Sequence, residues 1–179
     1  MTVPWSGGSL RLVVPDMKYA GASLEWVSQP EVVRWMGGDF SNVSLEGERQ
    51  RLREMLHDTS AYHWEIELDG RVVGNVHLDE FDETSREFGA RSAVLSYIIG
   101  YPALWGRGIA SAAAKALLDW ARDTAGIEII KARILPQNQA SIAVVRKLGF
   151  ELYGLEEYLG PDLPDPAEWN TYRLRLSRG

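Results

Sequence analysis

Apolar positions along the chain recur with two different spacings, every second residue in some stretches and every third or fourth in others, which predicts strands and helices in mixed order. Ser9 to Val14 reads as a first strand ended by Pro15. Asp16 then stands where it can cap a helix carrying Met17, Ala20, Leu24 and Val27 on one face. Gln29-Pro30 interrupts this helix, Glu31 to Met36 makes a short helical turn, and Gly37-Gly38-Asp39 breaks the chain again. Ser44 caps a charged helix running through about His57, with Leu45, Leu52, Met55 and Leu56 as its apolar side. His63 to Leu68 alternates strictly, Trp64, Ile66 and Leu68 on one face and His63, Glu65 and Glu67 on the other. Asp69-Gly70 is a strong hairpin signal, and Arg71 to Leu78 is the returning strand. Asp79 to Arg91 reads as a polar connection whose acidic residues, Asp79, Glu80, Asp82, Glu83 and Glu87, form a solvated loop.

In the second half, Val94 to Ile99 is apolar and β-branched enough for a buried strand, and Pro102 stops it. Ile109, Ala113, Ala116, Leu117, Trp120 and Thr124 then recur at helical spacing, with Ser111, Lys115, Asp119 and Arg122 on the opposite side and Gly126 closing the helix. Ile127 to Leu135 is a further strand, Asn138 to Lys147 a short helix ended by Gly149, and Phe150 to Tyr158 and Thr171 to Leu176 the last two strands. Between those strands, Gly160 to Trp169 holds Pro161, Pro164 and Pro166 and is expected to be irregular. No repeat and no linker divides the 179 residues, so a single domain over residues 1–179 is expected.

Composition narrows the possible functions more than it identifies one. A hydrophobic content of 45% and a charged content of 25% suit a soluble globular chain. The absence of cysteine excludes disulfides, thiolate metal sites and a cysteine nucleophile, and no metal is expected. A formal net charge of -6 argues against a nucleic-acid surface and is compatible with cationic partners. Met1 to Gly8 lacks a basic region followed by an apolar run, and no stretch approaches membrane-spanning length, so a cytoplasmic protein without membrane contact is expected. Seven tryptophans are many for this length, and several must sit in the core or line a groove.

The segment Tyr97 to Ala110 concentrates the chemistry. A strand, a turn with Gly106 and Gly108 flanking Arg107, and a helix start follow one another directly. Glycine accepts positive φ and lets backbone approach a ligand, while the helix start presents free N–H groups and a positive dipole end, so a pyrophosphate would fit there. The same glycines would equally serve a tight strand-to-helix turn. Neither GxxxxGK(S/T) nor GxGxxG is satisfied, since Ser111 stands where the third glycine of the latter belongs.

Trp105-Gly106-Arg107-Gly108-Ile109-Ala110 resembles the acyl-CoA signature of the GNAT superfamily of N-acetyltransferases, Gln/Arg-x-x-Gly-x-Gly/Ala, with Gly108 and Ala110 in the small positions and Trp105 in place of Gln or Arg. The W-G-K/R-G-x-A form is similar to the RimJ/RimL-like branch, which acetylates protein N-termini and includes small-molecule relatives. Asn138 to Phe150 is similar to that branch's N-x-x-S-x-x-V-x-x-K-x-G-F. The likeness covers about residues 93 to 154.

The resemblance implies a mixed α/β fold with a central, mostly antiparallel sheet, a splayed acyl-CoA cleft and flanking helices. Acetyl-CoA would be the acyl donor. Backbone groups of Ile98, Ile99 and Gly100 would pair with the pantetheine arm, Arg107, Gly108, Ile109, Ala110 and Ser111 would hold the pyrophosphate, and Trp105 and Gly106 would also belong to the cofactor site. Arg107 could add a charge-assisted contact or be a surface residue in a turn. Asn138 would reach the pantetheine region or serve as a helix N-cap. Trp26, Trp35, Met36 and Phe40 are candidates for the wall of the acceptor groove. Amide formation also needs a group that receives the amine proton and an acid for the leaving thiolate. Val94 to Tyr97 offers no carboxylate for the first role, so a water chain is expected to contribute, with Glu65, His77, Asp79, Glu156 and Glu157 as the polar groups facing the acceptor and His77 and Glu157 as base candidates. Ser141 is the acid candidate. The proline-rich Gly160 to Trp169 segment is expected to close over the acceptor. The partner is then a peptide N-terminus or a small-molecule amine, met by a monomer or homodimer. A non-catalytic acyl-CoA sensor of the same fold is the alternative, and an unrelated nucleotide-binding domain is more distant.

Overall fold

The computed structural model describes residues 1–36, 40–158 and 167–177. Among these residues eight strands form one sheet in the order β1-β2-β3-β4-β5-β6-β8-β7. They are β1 (Thr2–Val3), β2 (Leu10–Val13), β3 (Tyr62–Leu68), β4 (Arg71–Asp79), β5 (Ser92–Ile99), β6 (Ile129–Ile134), β7 (Glu151–Tyr158) and β8 (Ala167–Arg175). Every neighbouring pair is antiparallel except β5 and β6. The α-helices among the described residues are α1 (Ala20–Val27), α2 (Pro30–Val33), α3 (Leu45–His57), α4 (Phe81–Phe88), α5 (Ile109–Asp123) and α6 (Gln139–Lys147). This is the mixed α/β architecture that the resemblance implied.

The site depends on how β5 meets β6. Their parallel pairing lasts only from Ser92, Ala93 and Val94 against Ile129, Ile130 and Lys131. Past that point β5 stays with β4, whose Gly74 faces Ile99, while β6 stays with β8 through Ala132, Arg133 and Ile134. The sheet therefore opens into a V, and two strand edges face each other across a gap without hydrogen bonding.

The two faces of the sheet are built differently. Ile109, Ala113, Leu117 and Ala121 of α5 are buried in one core with Leu12, Ile66, Val76, Leu78 and Leu95. Ile66 is on the face of β3 that the alternation of the sequence marked as apolar. On the opposite side a smaller core forms around Trp26, Val32 and Val72. Glu65 belongs to that second side and is 1% exposed, so the polar half of the β3 alternation is covered by protein instead of meeting water.

Local signals explain most element ends. Asp16 Oδ1 accepts the Lys18 N–H at 3.0 Å, and Ser44 Oγ accepts the Gly47 N–H at 3.1 Å, as their capping positions require. Asp69 and Gly70 turn the β3–β4 hairpin with φ 50 and 83, the two positive values of a type I′ turn. Three expectations are corrected. Residues 79–91 are not a solvated loop, because α4 occupies Phe81–Phe88: Phe81 packs edge-on against Tyr62 at 5.5 Å, Phe88 against Tyr153 at 5.4 Å, and Thr84 is buried between them. Those tertiary contacts outweigh the polar composition that hid the helix. Glu80 and Glu87 of the same stretch are ion-pair partners of Arg133 and Lys131. Finally, β8 begins at Ala167, so Trp169 belongs to a strand. The Gly37-Gly38-Asp39 break and the proline-rich stretch 160–166 lie outside the described residues. Among the described residues no helix is long and apolar enough to cross a membrane.

Candidate active site

Where β5 and β6 part, a cavity of about 610 Å³ opens between them, a size typical of small-molecule sites. Its floor and walls come from β5, the end of β6, the β5–α5 turn, and the first turns of α5 and α6. Two halves can be distinguished.

One half is made largely of backbone. Gly106 and Gly108 have φ 75 and 81, and a Cβ at either position would meet nothing within 4 Å. The space over the turn is open because these residues have no side chain. Gly108 is the N-cap of α5 and offers no side-chain cap, while Ala112 N–H is the first to bond back, to Gly108 O at 3.0 Å. The N–H groups of the first helical turn are thus left for a ligand, and they sit at the positive end of a 15-residue helix. An open, glycine-framed helix start of this kind fits the diphosphate of CoA. Ile109, Ala110 and Ser111 line the cavity there. Arg107 does not line it: its guanidinium lies 5.7 Å from the centre of the Trp5 ring, and its carbonyl accepts the Trp5 indole N–H at 3.3 Å.

Along the β5 edge, Ile98 and Ile99 line the cavity. Gly100 does not, since its N–H bonds Val73 O at 2.8 Å and its carbonyl accepts Gln29 Nε2 at 3.2 Å. Trp105 lines the cavity and anchors its indole N–H on Ile99 O at 2.7 Å, a fixing bond that the motif could not reveal. Across the gap, Asn138 is the N-cap of α6, its Oδ1 accepting Ser141 N–H at 3.1 Å. Ser141 also lines the cavity, and among the described residues its hydroxyl makes no hydrogen bond. Its carbonyl accepts the Tyr97 hydroxyl at 3.2 Å. Burial pushes the Tyr97 phenol up to about 12, so it stays protonated at neutral pH.

The other half is made of side chains from many elements. Asn75 and His77 of β4, Ser96 of β5, Val32, Trp35 and Met36 at the α2 end, Arg133 of β6, Lys147 of α6 and Trp169 of β8 all reach it. Asn75, Ser96, Arg133 and Lys147 escaped the sequence reading of the groove, whereas Trp169 is the last residue of the segment expected beside the acceptor. The β4 alternation could have signalled Asn75, which lies two residues before His77. Three expected positions are corrected. Trp26 is 1% exposed, sealed beneath Gly100 so closely that a Cβ there would strike its indole. Phe40 is not among the lining residues. Glu157 is exposed on the outer strand β7 and does not reach the cavity.

Electrostatically this half is neutral to basic, for no carboxylate lines it among the described residues. Arg133 is held bidentately by Glu80, both bonds 2.7 Å, and by Glu156 at 2.7 Å. These partners, Glu80 foremost, hold its guanidinium above its ordinary range despite burial. Lys131, only 4% exposed, pairs with Glu87 at 2.7 Å and with Glu156, and the two carboxylates outweigh the burial that would otherwise discharge it. Glu156 is therefore a structural counter-ion, not a group facing the acceptor. His77 Nε2 lies 3.4 Å from Asp79 Oδ2. Glu65 lies behind this wall, and burial raises its carboxyl to about 7. Among the described residues no cluster of three or more His, Asp or Glu side chains is placed to hold a metal.

Comparison with known proteins agrees with this geometry. Probable N-acetyltransferase YjcK of Bacillus subtilis (strain 168) is 30% identical over 120 residues, 63% of this chain and 62% of that protein. Spermidine N(1)-acetyltransferase of Escherichia coli (strain K12) is 30% identical over 99 residues, 55% of this chain and 50% of that protein. The chain thus spans less than two thirds of the length of either relative. Mycobacterium smegmatis RimJ, solved in complex with CoA-disulfide, superposes with a TM-score of 0.83 at 22% identity, covering 98% of this chain and 86% of that one. Residues 9–151 match the family described as Acetyltransferase (GNAT) domain, and with its V-shaped cleft and glycine-framed helix start the chain belongs to the GNAT acetyltransferases.

Proposed function

We propose that the chain acts as one domain, an acetyl-CoA-dependent N-acetyltransferase whose acceptor is a primary amine without further positive charges, such as a peptide N-terminus. The observation that carries the acceptor class is the cavity wall: it offers Arg133, Lys147, His77 and Asn75 but no carboxylate among the described residues, so a polycation would find no counter-charge. A peptide backbone, by contrast, can use the amide of Asn75 and the hydroxyl of Ser96, while Trp35 and Trp169 supply apolar surface.

When bound, acetyl-CoA supplies a thioester whose C–S bond is exchanged for an amide C–N bond. The chain's own residues do the rest. The α5 start and the Gly106–Gly108 turn hold the diphosphate, and Trp105 keeps the β5 edge in place. Asn138, with its Oδ1 committed to the α6 cap, has its amide N–H left as the donor for the pantetheine arm. His77 receives the proton that the attacking amine must lose, and Asp79 beside it steadies the resulting imidazolium. Ser141, which lines the cavity, donates a hydrogen bond to the departing thiolate. The neighbouring Tyr97 phenol spends its proton on the Ser141 carbonyl and thereby fixes the start of α6 opposite β5.

Turnover measured as free thiol with a panel of peptides and polyamines tests this reading. The expected result is a kcat/KM for an unblocked peptide at least about tenfold above that for spermidine. The reverse order would overturn the acceptor class. CoA binding without thiol release for any amine would favour a non-catalytic acyl-CoA sensor.

A further inference from the structure

The turn that frames the donor half of the cleft is held from outside by a side chain 102 positions away along the chain. Strand β1 pairs with β2 through Thr2 opposite Arg11 and Val3 opposite Leu10, the Leu12 N–H donates to Met1 O at 2.7 Å, and Val3 is buried in the main core. Two residues past Val3, Trp5 packs half-buried against that same core. The chain then closes over the indole at Gly7, where a Cβ would strike the six-membered ring. Trp5 is thus carried by strand pairing on one side and covered by backbone on the other. Its indole meets Arg107 twice: the N–H donates to the Arg107 carbonyl at 3.3 Å, and the guanidinium lies 5.7 Å from the ring centre.

The carbonyl contact has a consequence on the far side of the same peptide. The Arg107 C=O and the Gly108 N–H belong to one planar trans unit, in which the two bonds point in opposite directions. A carbonyl held toward Trp5 therefore turns the Gly108 N–H away from Trp5. Gly106 and Gly108 line the cavity, whereas Arg107 and Trp5 do not. Among the described residues no group accepts a hydrogen bond from the Gly108 N–H. The turn has little of its own to select this orientation. Flipping the peptide changes ψ of Arg107 and φ of Gly108, and glycine accepts either sign of φ. Gly108 provides no side-chain cap, and a Cβ there would meet nothing within 4 Å, so packing around it does not restrain the flip. Trp105 holds Ile99 O, at the strand end, and leaves this peptide alone.

We propose that Trp5 is a positioning residue of the donor site: its indole fixes the Arg107–Gly108 peptide so that the Gly108 N–H is presented to the diphosphate of CoA beside the first-turn N–H groups of α5. The proposal rests on the acetyl-CoA reading and deepens it. Trp5 acts through the peptide and does not line the cavity itself. Without the indole N–H the peptide samples both orientations, and the flipped one turns a carbonyl oxygen toward the anion in place of a donor. Binding then draws on only the competent fraction of molecules, and the apparent affinity falls by that fraction. The stack of the Arg107 guanidinium on the Trp5 ring adds a second hold on the same residue. The thioester lies at the opposite end of the pantetheine arm from the diphosphate, so the chemical step keeps its rate once the donor is bound.

The test uses the full chain with Trp5→Phe, which keeps an aromatic ring and loses the N–H, and Gly7→Val, which keeps the indole and crowds it off its place. Calorimetry with CoA should show an affinity about threefold to tenfold lower in both variants, and the acetyl-CoA KM should rise by the same factor while kcat changes less than about twofold. Parental affinity in Trp5→Phe would overturn the proposal, and so would a kcat that falls as far as the affinity, since that marks a general loosening of the domain. Independently of CoA, 15N NMR of the free protein should show the amide signals of Gly106, Arg107 and Gly108 broadened or doubled by exchange in Trp5→Phe, while those of α6 stay as in the parent. Single, sharp turn signals in Trp5→Phe also overturn it. If the parent binds no CoA while the turn signals respond to Trp5→Phe, the hold on the turn stands and the acetyl-CoA reading falls.

Discussion

The two halves of the cleft follow different physical rules. In the half that faces the acyl donor, recognition is assigned to backbone: a turn with two positive-φ glycines, the first turn of α5, and a strand edge left open by the parting of β5 and β6. In the half that faces the acceptor, it is assigned to side chains carried by β4, β5, β6, β8 and the end of α2. The cost of polarity is distributed in the same way. His63 Nδ1, His77 Nδ1, Asp79 Oδ1 and both oxygens of Glu65 are buried without partners on the acceptor side, whereas no such atom occurs in the β5–α5 turn, α5 or α6 among the described residues. The unpartnered buried polar atoms thus lie on the acceptor side, where they cost stability, and not along the glycine-framed turn and its helix.

The largest expected effect probes that cost directly. Glu65 rises from its ordinary 4.5 to about 7 because of burial, with Arg51 opposing and Glu48 adding to the rise. Its folded pKa exceeds its unfolded one, so folding favours the neutral acid. The associated stability is complete below about pH 4.5 and is lost as pH climbs toward 7. Glu65→Gln should then raise the unfolding free energy by up to about 3 kcal/mol above neutral pH and by little in acid. Denaturant titrations at two pH values measure it, and an equal effect at both would show that Glu65 bears none of the strain that separates the halves.

Ser141→Ala comes next. The hydroxyl belongs to the donor half by position, and if it acts on the leaving group as proposed, kcat should fall by about tenfold to a hundredfold while acetyl-CoA affinity is retained. Single-turnover rates under conditions where chemistry is limiting decide it, and an unchanged rate would leave Ser141 as a helix-start residue. Smaller again is Gly108→Val. A β-branched side chain at φ 81 is strained, and its Cβ would enter the open space above the turn. CoA should bind about tenfold more weakly, roughly 1.4 kcal/mol. Calorimetry on protein shown to be folded reads this, and full affinity would contradict the assignment of the diphosphate to the turn.

The contrast between the halves also explains what could be read from the chain alone. Gly106, Gly108, Asn138 and Ser141 were visible because each does its structural work within a few residues of itself: a positive φ, a helix start, a cap on the next turn. The Asp69-Gly70 hairpin and the Asp16 and Ser44 caps were legible for the same reason. Helix α4 was not, because its polar composition conceals the two ends, Phe81 and Phe88, that pack on Tyr62 and Tyr153 from distant strands. Trp26 and Trp35 lie nine residues apart and looked equivalent as aromatic groove candidates, yet one is sealed under Gly100 and the other lines the cavity.

By itself the sequence determined most of the strands and helices, though neither β1 nor α4, together with the glycine turn and the α6 cap, since hydrophobic period, glycine φ and capping chemistry act over a handful of residues. Only the tertiary structure decided that β5 and β6 separate after three paired residues, that Arg133 is held by Glu80 and Glu156, and that His63 stands across from His77 with Asp58 behind it. Those facts depend on strand register and on the packing of elements far apart in the chain, and register becomes definite only when the apolar face of every strand is buried at once.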